Sequence, residues 1–378
     1  MEWRYFPGLA RLFGHLPARV HWAGLALALV LGTFGGATAS FVGLPLPWML
    51  GPMLACGVAC LLGAPLVGPA GARPVVVPVL GVMLGSGFTP EIVAQLPGWA
   101  GTFALLPPFA LIAGATGWVM YRVIGGYDAR TAFFCAAPGG LNEMIIMGAE
   151  AGANERRIAL THAVRVFTVI SLVAVAFALI EGTRAGDLTR TYVGFADLSW
   201  TAGVALLLCA VVGPWLARRA RLPAAQLLGP MVLSAALHMS GLVVDPPPTL
   251  LVVIAQIVIG TVLGCRFAGA TLRETGRDIA LAGAVALVML VITAAFAVAV
   301  LMLTNVPWSQ AVLAYAPGGL AEMSLLALAK NQDVAYVATA HIARIVLVLF
   351  AVRPIFALLA DKMPPQEPPN PRNTATPE

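Results

Sequence analysis

The sequence predicts an all-α integral membrane protein made of two repeats with inverted topology. Three observations carry that expectation. The composition is overwhelmingly apolar, the apolar runs are long enough to cross a bilayer, and the chain matches itself at a nearly constant offset. Of its 378 residues, 60% are hydrophobic and only 10% are charged, and the mean hydropathy is +0.89. A soluble domain carries about 25% charged residues, so this chain has too few to cover an aqueous surface. Runs at 23–42, 103–123, 158–180, 202–217, 279–303 and 335–359 can each cross a hydrocarbon core of ~30 Å as a helix. They are continuously apolar, whereas the strands of a membrane barrel alternate in segments of about ten residues.

Read in order, the chain divides into a basic cytoplasmic segment (1–20), a first membrane repeat (21–182), a connecting loop (183–199), a second membrane repeat (200–361) and a disordered tail (362–378). Arg4, Arg11 and Arg19 precede an apolar stretch ending Ala37-Thr38-Ala39, which has the outline of a cleavable signal peptide. The second half contains an equivalent helix that nothing would remove, and this argues against cleavage. The five cysteines (Cys56, Cys60, Cys135, Cys209 and Cys265) lie in or beside apolar segments with no CxxC pair, so they read as small core residues. The tail is rich in proline and polar residues, a composition that does not build a core.

The repeat organises the rest. Leu50-Gly51-Pro52-Met53 matches Leu228-Gly229-Pro230-Met231 at an offset of 178. Leu80–Phe88 matches Ile259–Phe267, Ala137–Met144 matches Ala316–Met323, and His162 with Arg165 matches His341 with Arg344, all at 179. Loop charges set the relative orientation, because cytoplasmic loops concentrate Lys and Arg. The loop near Pro90 has no basic residue, while its counterpart holds Arg266, Arg273 and Arg277. Arg122 and Arg130 follow the next segment of the first half, but 304–308 carries no charge. Opposite bias in equivalent loops predicts inversion. Inversion requires an odd number of crossings, so one of the six apolar segments per half must fail to cross. The segment broken by Pro-Gly-Gly is the candidate, either re-entrant or a discontinuous helix. Five crossings plus that broken segment put seventeen of the 22 Lys and Arg residues on one side. Both termini are then cytoplasmic, in a bacterial inner membrane.

Pro138-Gly139-Gly140 and Pro317-Gly318-Gly319 interrupt apolar runs with residues that do not hold a helix. Broken backbone at membrane depth is tolerated where it is buried in protein or lines a cavity, and matched breaks in two halves point to a transporter's midplane site. A kink for close packing is the plainer alternative. Glu143 and Glu322 follow the breaks by three residues. His162 and Arg165 share one helix face, as do His341 and Arg344. A buried arginine needs a partner, so the expected pairs are Glu143 with Arg165 and Glu322 with Arg344. The histidines are left as groups able to take a proton near neutral pH. The alternative is that these pairs only lock the broken segments. Asn142 faces Ala321 in the repeat, and Ile145 faces Ser324, so the two surfaces differ. Helix N-termini and buried arginines favour an anion.

The two boxes Ala137–Met144 and Ala316–Met323, with the Leu-Gly-Pro-Met boxes, resemble the membrane AbrB family. Its members carry this duplication over almost the whole chain, here about residues 20 to 360. Members are labelled as transcriptional regulators or as ammonia monooxygenases, and the family shares its name with an unrelated soluble DNA-binding protein. The resemblance implies a fold like the inverted-repeat cation/anion transporters, which include proton antiporters and bile-acid symporters. It therefore implies secondary transport of a small solute, with a proton or Na+ as coupling ion and room for a homodimer. No cofactor is expected and the chain does not read as an enzyme. An oxygenase needs clustered His and carboxylate ligands, and of the five histidines only His162 and His341 have a plausible meeting point. A DNA-binding protein needs a soluble basic module, which neither terminus supplies. A membrane sensor that affects gene expression indirectly is the main rival to transport.

Overall fold

A computed structural model describes residues 18–360 apart from 89, 91, 182–192, 271, 305 and 331. The basic start, most of the connecting loop and the tail expected from the sequence lie outside these residues. The described residues form fifteen α-helices and no strand. In chain order these are α1 (Ala18–Val42), α2 (Pro47–Leu61), α3 (Arg73–Gly85), α4 (Ile92–Phe103), α5 (Leu106–Val123), α6 (Ala129–Ala136), α7 (Leu141–Glu150) and α8 (Glu155–Glu181). After the loop come α9 (Trp200–Arg219), α10 (Ala225–Met239), α11 (Thr249–Gly264), α12 (Leu272–Leu303), α13 (Trp308–Tyr315), α14 (Leu320–Ala329) and α15 (Val334–Ala360).

Among the described residues, seven stretches are long and apolar enough to cross a membrane: His21–Val42, Gly98–Val123, Glu155–Ile180, Trp200–Arg219, Thr249–Phe267, Thr275–Leu303 and Val334–Leu359. Large apolar side chains stand on the outside, with Phe41 93% exposed and Trp200 84% exposed. A surface of that kind is stable against lipid and not against water. α2, α3 and α10 are apolar but have only 15, 13 and 15 residues, or about 20 Å of helix at 1.5 Å per residue. α4 and α5 are separate where α12 runs unbroken. Pro107 and Pro108 at the start of α5 lack the amide hydrogens that a continuous helix would need there.

The helices sort into two bundles. α1, α2, α3, α9, α10 and α11 pack among themselves, while α4–α8 pack with α12–α15. Contacts between bundles are sparser and run through the ends of α3 and α11, the near side of α2, and α8, α14 and α15.

Within the first bundle, small residues let backbones touch. α3 lies on α10 at Gly81 and Gly85, and α11 lies on α2 at Gly260 and Gly264. A Cβ on Gly81 would come within 2.5 Å of the Leu227 carbonyl oxygen, and one on Gly264 within 2.6 Å of the Met53 carbonyl oxygen. Each pair is a glycine-xxx-glycine face of the kind that drives helix association in lipid, where burial of apolar side chains offers no advantage over lipid contact. The Leu-Gly-Pro-Met boxes are the surfaces these faces meet. Backbone geometry repeats as well. Leu46 and Ala224, which precede α2 and α10, both adopt left-handed conformations with φ of 48° and 46°, a state that costs a non-glycine residue about 1–2 kcal/mol.

Gly260→Ala should destabilise the protein by about 2 kcal/mol or more, since the backbone it meets cannot move aside cheaply. Gly283→Ala, whose Cβ meets nothing within 4 Å, should leave stability unchanged or raise it. Thermal unfolding of detergent-purified variants measures both, and equal losses would contradict the packing described.

Candidate functional site

Both Pro-Gly-Gly sequences fold back on themselves. The amide of Asn154, just beyond α7, donates to Thr131 Oγ1 near the start of α6 at 2.9 Å, and Arg130 donates to the Ala151 carbonyl at 3.1 Å. In the second half Ser309 Oγ, in the first turn of α13, donates to Gln332 Oε1 beyond α14 at 3.2 Å. Each break is therefore the tip of a helical hairpin whose two ends lie side by side. α6 and α13 have eight residues each, so each tip lies about 12 Å from its mouth.

At each tip the helix stops because proline and paired glycines cannot continue it, which leaves carbonyls without amide partners. An arginine from the following long helix takes them. Arg165 of α8 donates from one nitrogen to Ala137 O at 2.9 Å and from another to Gly139 O at 3.3 Å. Arg344 of α15 donates to Tyr315 O at 2.9 Å, Ala316 O at 2.8 Å and Gly318 O at 3.4 Å. Both arginines are almost completely buried. The guanidinium groups thus close the carbonyl ends of α6 and α13, where the helix dipole is negative.

The glutamates do something else. Glu143 and Glu322 lie in the first turns of α7 and α14 and curl back over Gly140 and Gly319, occupying the space a Cβ there would need. A carboxylate in that position offsets the positive end of its own helix. The expected pairs Glu143–Arg165 and Glu322–Arg344 do not form. Freed backbone at each break attracts both groups, with the cation at the carbonyl end and the anion at the amide end.

His162 accepts from Arg165 at Nδ1 (3.2 Å) and sits 2.9 Å from Phe134 O through Nε2. An arginine can only donate, so Nε2 carries the hydrogen and the imidazole is neutral in this arrangement. This differs from a ring poised to accept a proton, because a hydrogen on Nδ1 would face the guanidinium. His341 is held differently, with Nδ1 3.1 Å from Val337 O and Nε2 without a hydrogen-bond partner. Asn142 is exposed and joins neither clasp. Ser324 is fully buried with an unpartnered hydroxyl. Pro138 and Pro317 are buried at the tips, beside the half-buried Gly139 and Gly318.

The two tips approach one another. A Cβ on Gly139 would meet Val348 Cγ1 at 3.0 Å, and Val348 is one helical turn from Arg344 on α15. Arg266, read from the sequence only as a loop charge, lies half-buried in the turn that follows α11. In the repeat expected from the sequence it stands opposite Gly87, which was the one available hint.

An ionic layer closes the mouth of the first hairpin. Arg157 pairs with Asp278 at 3.3 Å and lies 4.4 Å over the Tyr127 ring, while Arg122 donates to Tyr127 O at 2.7 Å. Burial first, and then Asp278, pushes the Tyr127 phenol well above its ordinary range. Among the described residues, no group of three or more His, Cys, Asp or Glu side chains is placed to hold a metal ion.

These features define a polytopic α-helical membrane protein whose centre is a pair of broken hairpins held by buried arginines. The chain belongs to the AbrB family: the family model described as "Transition state regulatory protein AbrB" matches residues 48–360. It is 29% identical over 362 residues to the "Uncharacterized protein YhjN" of Bacillus subtilis (strain 168), covering 88% of this chain and 92% of that protein. It is 26% identical over 309 residues to the "Putative regulator AbrB" of Escherichia coli (strain K12), covering 82% of this chain and 88% of that protein.

If the clasp is to backbone and not to the glutamates, the losses should be independent. Arg165→Gln should lower unfolding free energy by about 3 kcal/mol and Glu143→Gln by about 0.5–1 kcal/mol. The double variant should lose the sum to within ~0.5 kcal/mol. A coupling energy above about 1 kcal/mol would mean that the side chains interact directly.

Proposed function

We propose that this protein is a secondary transporter of a small solute, with its site at the two hairpin tips. The observation that carries the proposal is the duplicated arginine clasp, in which two matched breaks each have equivalent carbonyls taken by a buried arginine inside an apolar protein. Irregular backbone at that depth is costly unless it serves a buried site, and duplicated breaks are the usual mark of a transporter's site. Two bundles joined by sparse contacts also suit alternating access, with the hairpin bundle moving against the other.

The internal repeat is supported by contacts that recur at the sequence offset. Gly35 meets Gly51 as Gly213 meets Gly229, and the α3–α10 contact matches the α11–α2 contact. The hairpin bonds favour five crossings with one re-entrant segment per half. An odd number of crossings would invert the halves and, with the arginine-rich loops inside, place both termini in the cytoplasm of a bacterial inner membrane. A proton or Na+ as coupling ion, and a homodimer, remain parts of this reading.

A second reading follows from the printed name of the Escherichia coli relative. A membrane protein that senses a solute could alter gene expression through a partner bound at the exposed arginines 218, 219 and 221. Crosslinking in cells would capture such a partner.

Topology tests the first reading. In a background without the five native cysteines, Pro90→Cys and Ala268→Cys should label from opposite sides with an impermeant maleimide. Labelling from one side only would mean parallel halves, which would remove the case for alternating access and favour the sensor.

A further inference from the structure

The unsatisfied atoms at the tips, and one hydroxyl a turn into α14 from the second tip, identify a class of solute. Arg165, Arg344 and Ser324 are 5%, 3% and 0% exposed. Arg165 Nε, Arg344 Nε and Ser324 Oγ have no hydrogen-bond partner. Buried donors without acceptors are uncommon, and each costs about 1–3 kcal/mol. Charge points the same way. Arg165 holds Gly139 O, and Gly139 lies against Val348, one turn along α15 from Arg344, so the two guanidinium groups share one region; neither has a carboxylate partner. The carbonyl ends of α6 and α13 offset about half a charge each, which leaves roughly one positive charge. Glu143 and Glu322 are committed to the opposite, amide ends of the breaks. His341 Nε2 is also unpartnered, but with Nδ1 donating to Val337 O it is an acceptor and does not serve an anion.

The surroundings are apolar. Val348 and Met144 crowd Gly139, and Met323 crowds Gly318. A site with about one positive charge, three idle donors and apolar walls suits a small organic monoanion better than a divalent oxyanion. Resting on the site proposed above, we infer that the tips bind the carboxylate of a small monocarboxylate, whose oxygens accept from Arg165 Nε, Arg344 Nε and Ser324 Oγ. The halves contribute unequally, since Ser324 stands where the first half has Ile145. Ser324 therefore sets affinity without holding the fold, whereas the arginines do both.

The test is ligand-dependent thermal unfolding of the full chain in detergent. Acetate, propionate, pyruvate, lactate and benzoate are compared with propionamide and choline at constant ionic strength. At least one monocarboxylate should raise Tm saturably, while propionamide and choline do not. Ser324→Ala should raise the unliganded Tm, because it removes a buried hydroxyl without a partner, and should weaken that binding about tenfold. If no monocarboxylate produces a saturable shift, or if Ser324→Ala binds as well as the wild type, the inference is overturned. Proteoliposome flux separates this from the transport reading. Flux of a neutral or cationic solute would leave transport standing and remove the monocarboxylate, while saturable binding with no flux would do the reverse.

Discussion

The constraint on which this structure depends is the need to satisfy carbonyls where a helix has been stopped inside an apolar environment. Water is not present there to take up the broken hydrogen bonds, and each unsatisfied group costs several kcal/mol. Arginine suits the task because its planar guanidinium presents several donors in a fixed fork and keeps its charge when buried. From α8 and α15, Arg165 and Arg344 each reach carbonyls on both sides of the Ala-Pro boundary at the tip. The hairpins can therefore be irregular at their tips without being loose.

Much of this was legible in the sequence. The apolar runs gave the class, because no other arrangement accommodates so many long uncharged stretches. The positions of His162, Arg165, His341 and Arg344 at one offset marked the clasping helices before any contact was known. The partners were misread for a physical reason. Pairing each buried arginine with the nearest acidic residue treats the backbone as already satisfied, and in a broken helix it is not. Glu143 follows its break by three residues, which is also the spacing at which a carboxylate serves the amide end of its own helix. Sequence spacing alone does not separate those two uses.

Other features lay beyond the pattern. The split between α4 and α5 follows from Pro107 and Pro108, but its absence in α12 breaks the expected match between halves. Arg266 looked like one of several loop charges, and only the fold shows it half-buried in the turn after α11. Tyr315 stands 179 residues after Ala136; its hydroxyl donates to the Thr102 carbonyl and its ring packs on Phe109 and Phe296, so the larger side chain serves the core.

The reciprocal seating of α3 on α10 and of α11 on α2 bears on how the chain is made. The ribosome releases α3 long before α10, so the glycine face of Gly81 and Gly85 enters the bilayer with no permanent neighbour. Lipid, or the insertion machinery, must cover that exposed main chain during the interval. α2 waits in the same way for α11. The first bundle can close only after residue 264 has left the tunnel, which makes assembly of the two halves a single late event and not two successive ones. A chain truncated in the connecting loop would carry helices whose contact surfaces were shaped for partners that never arrive.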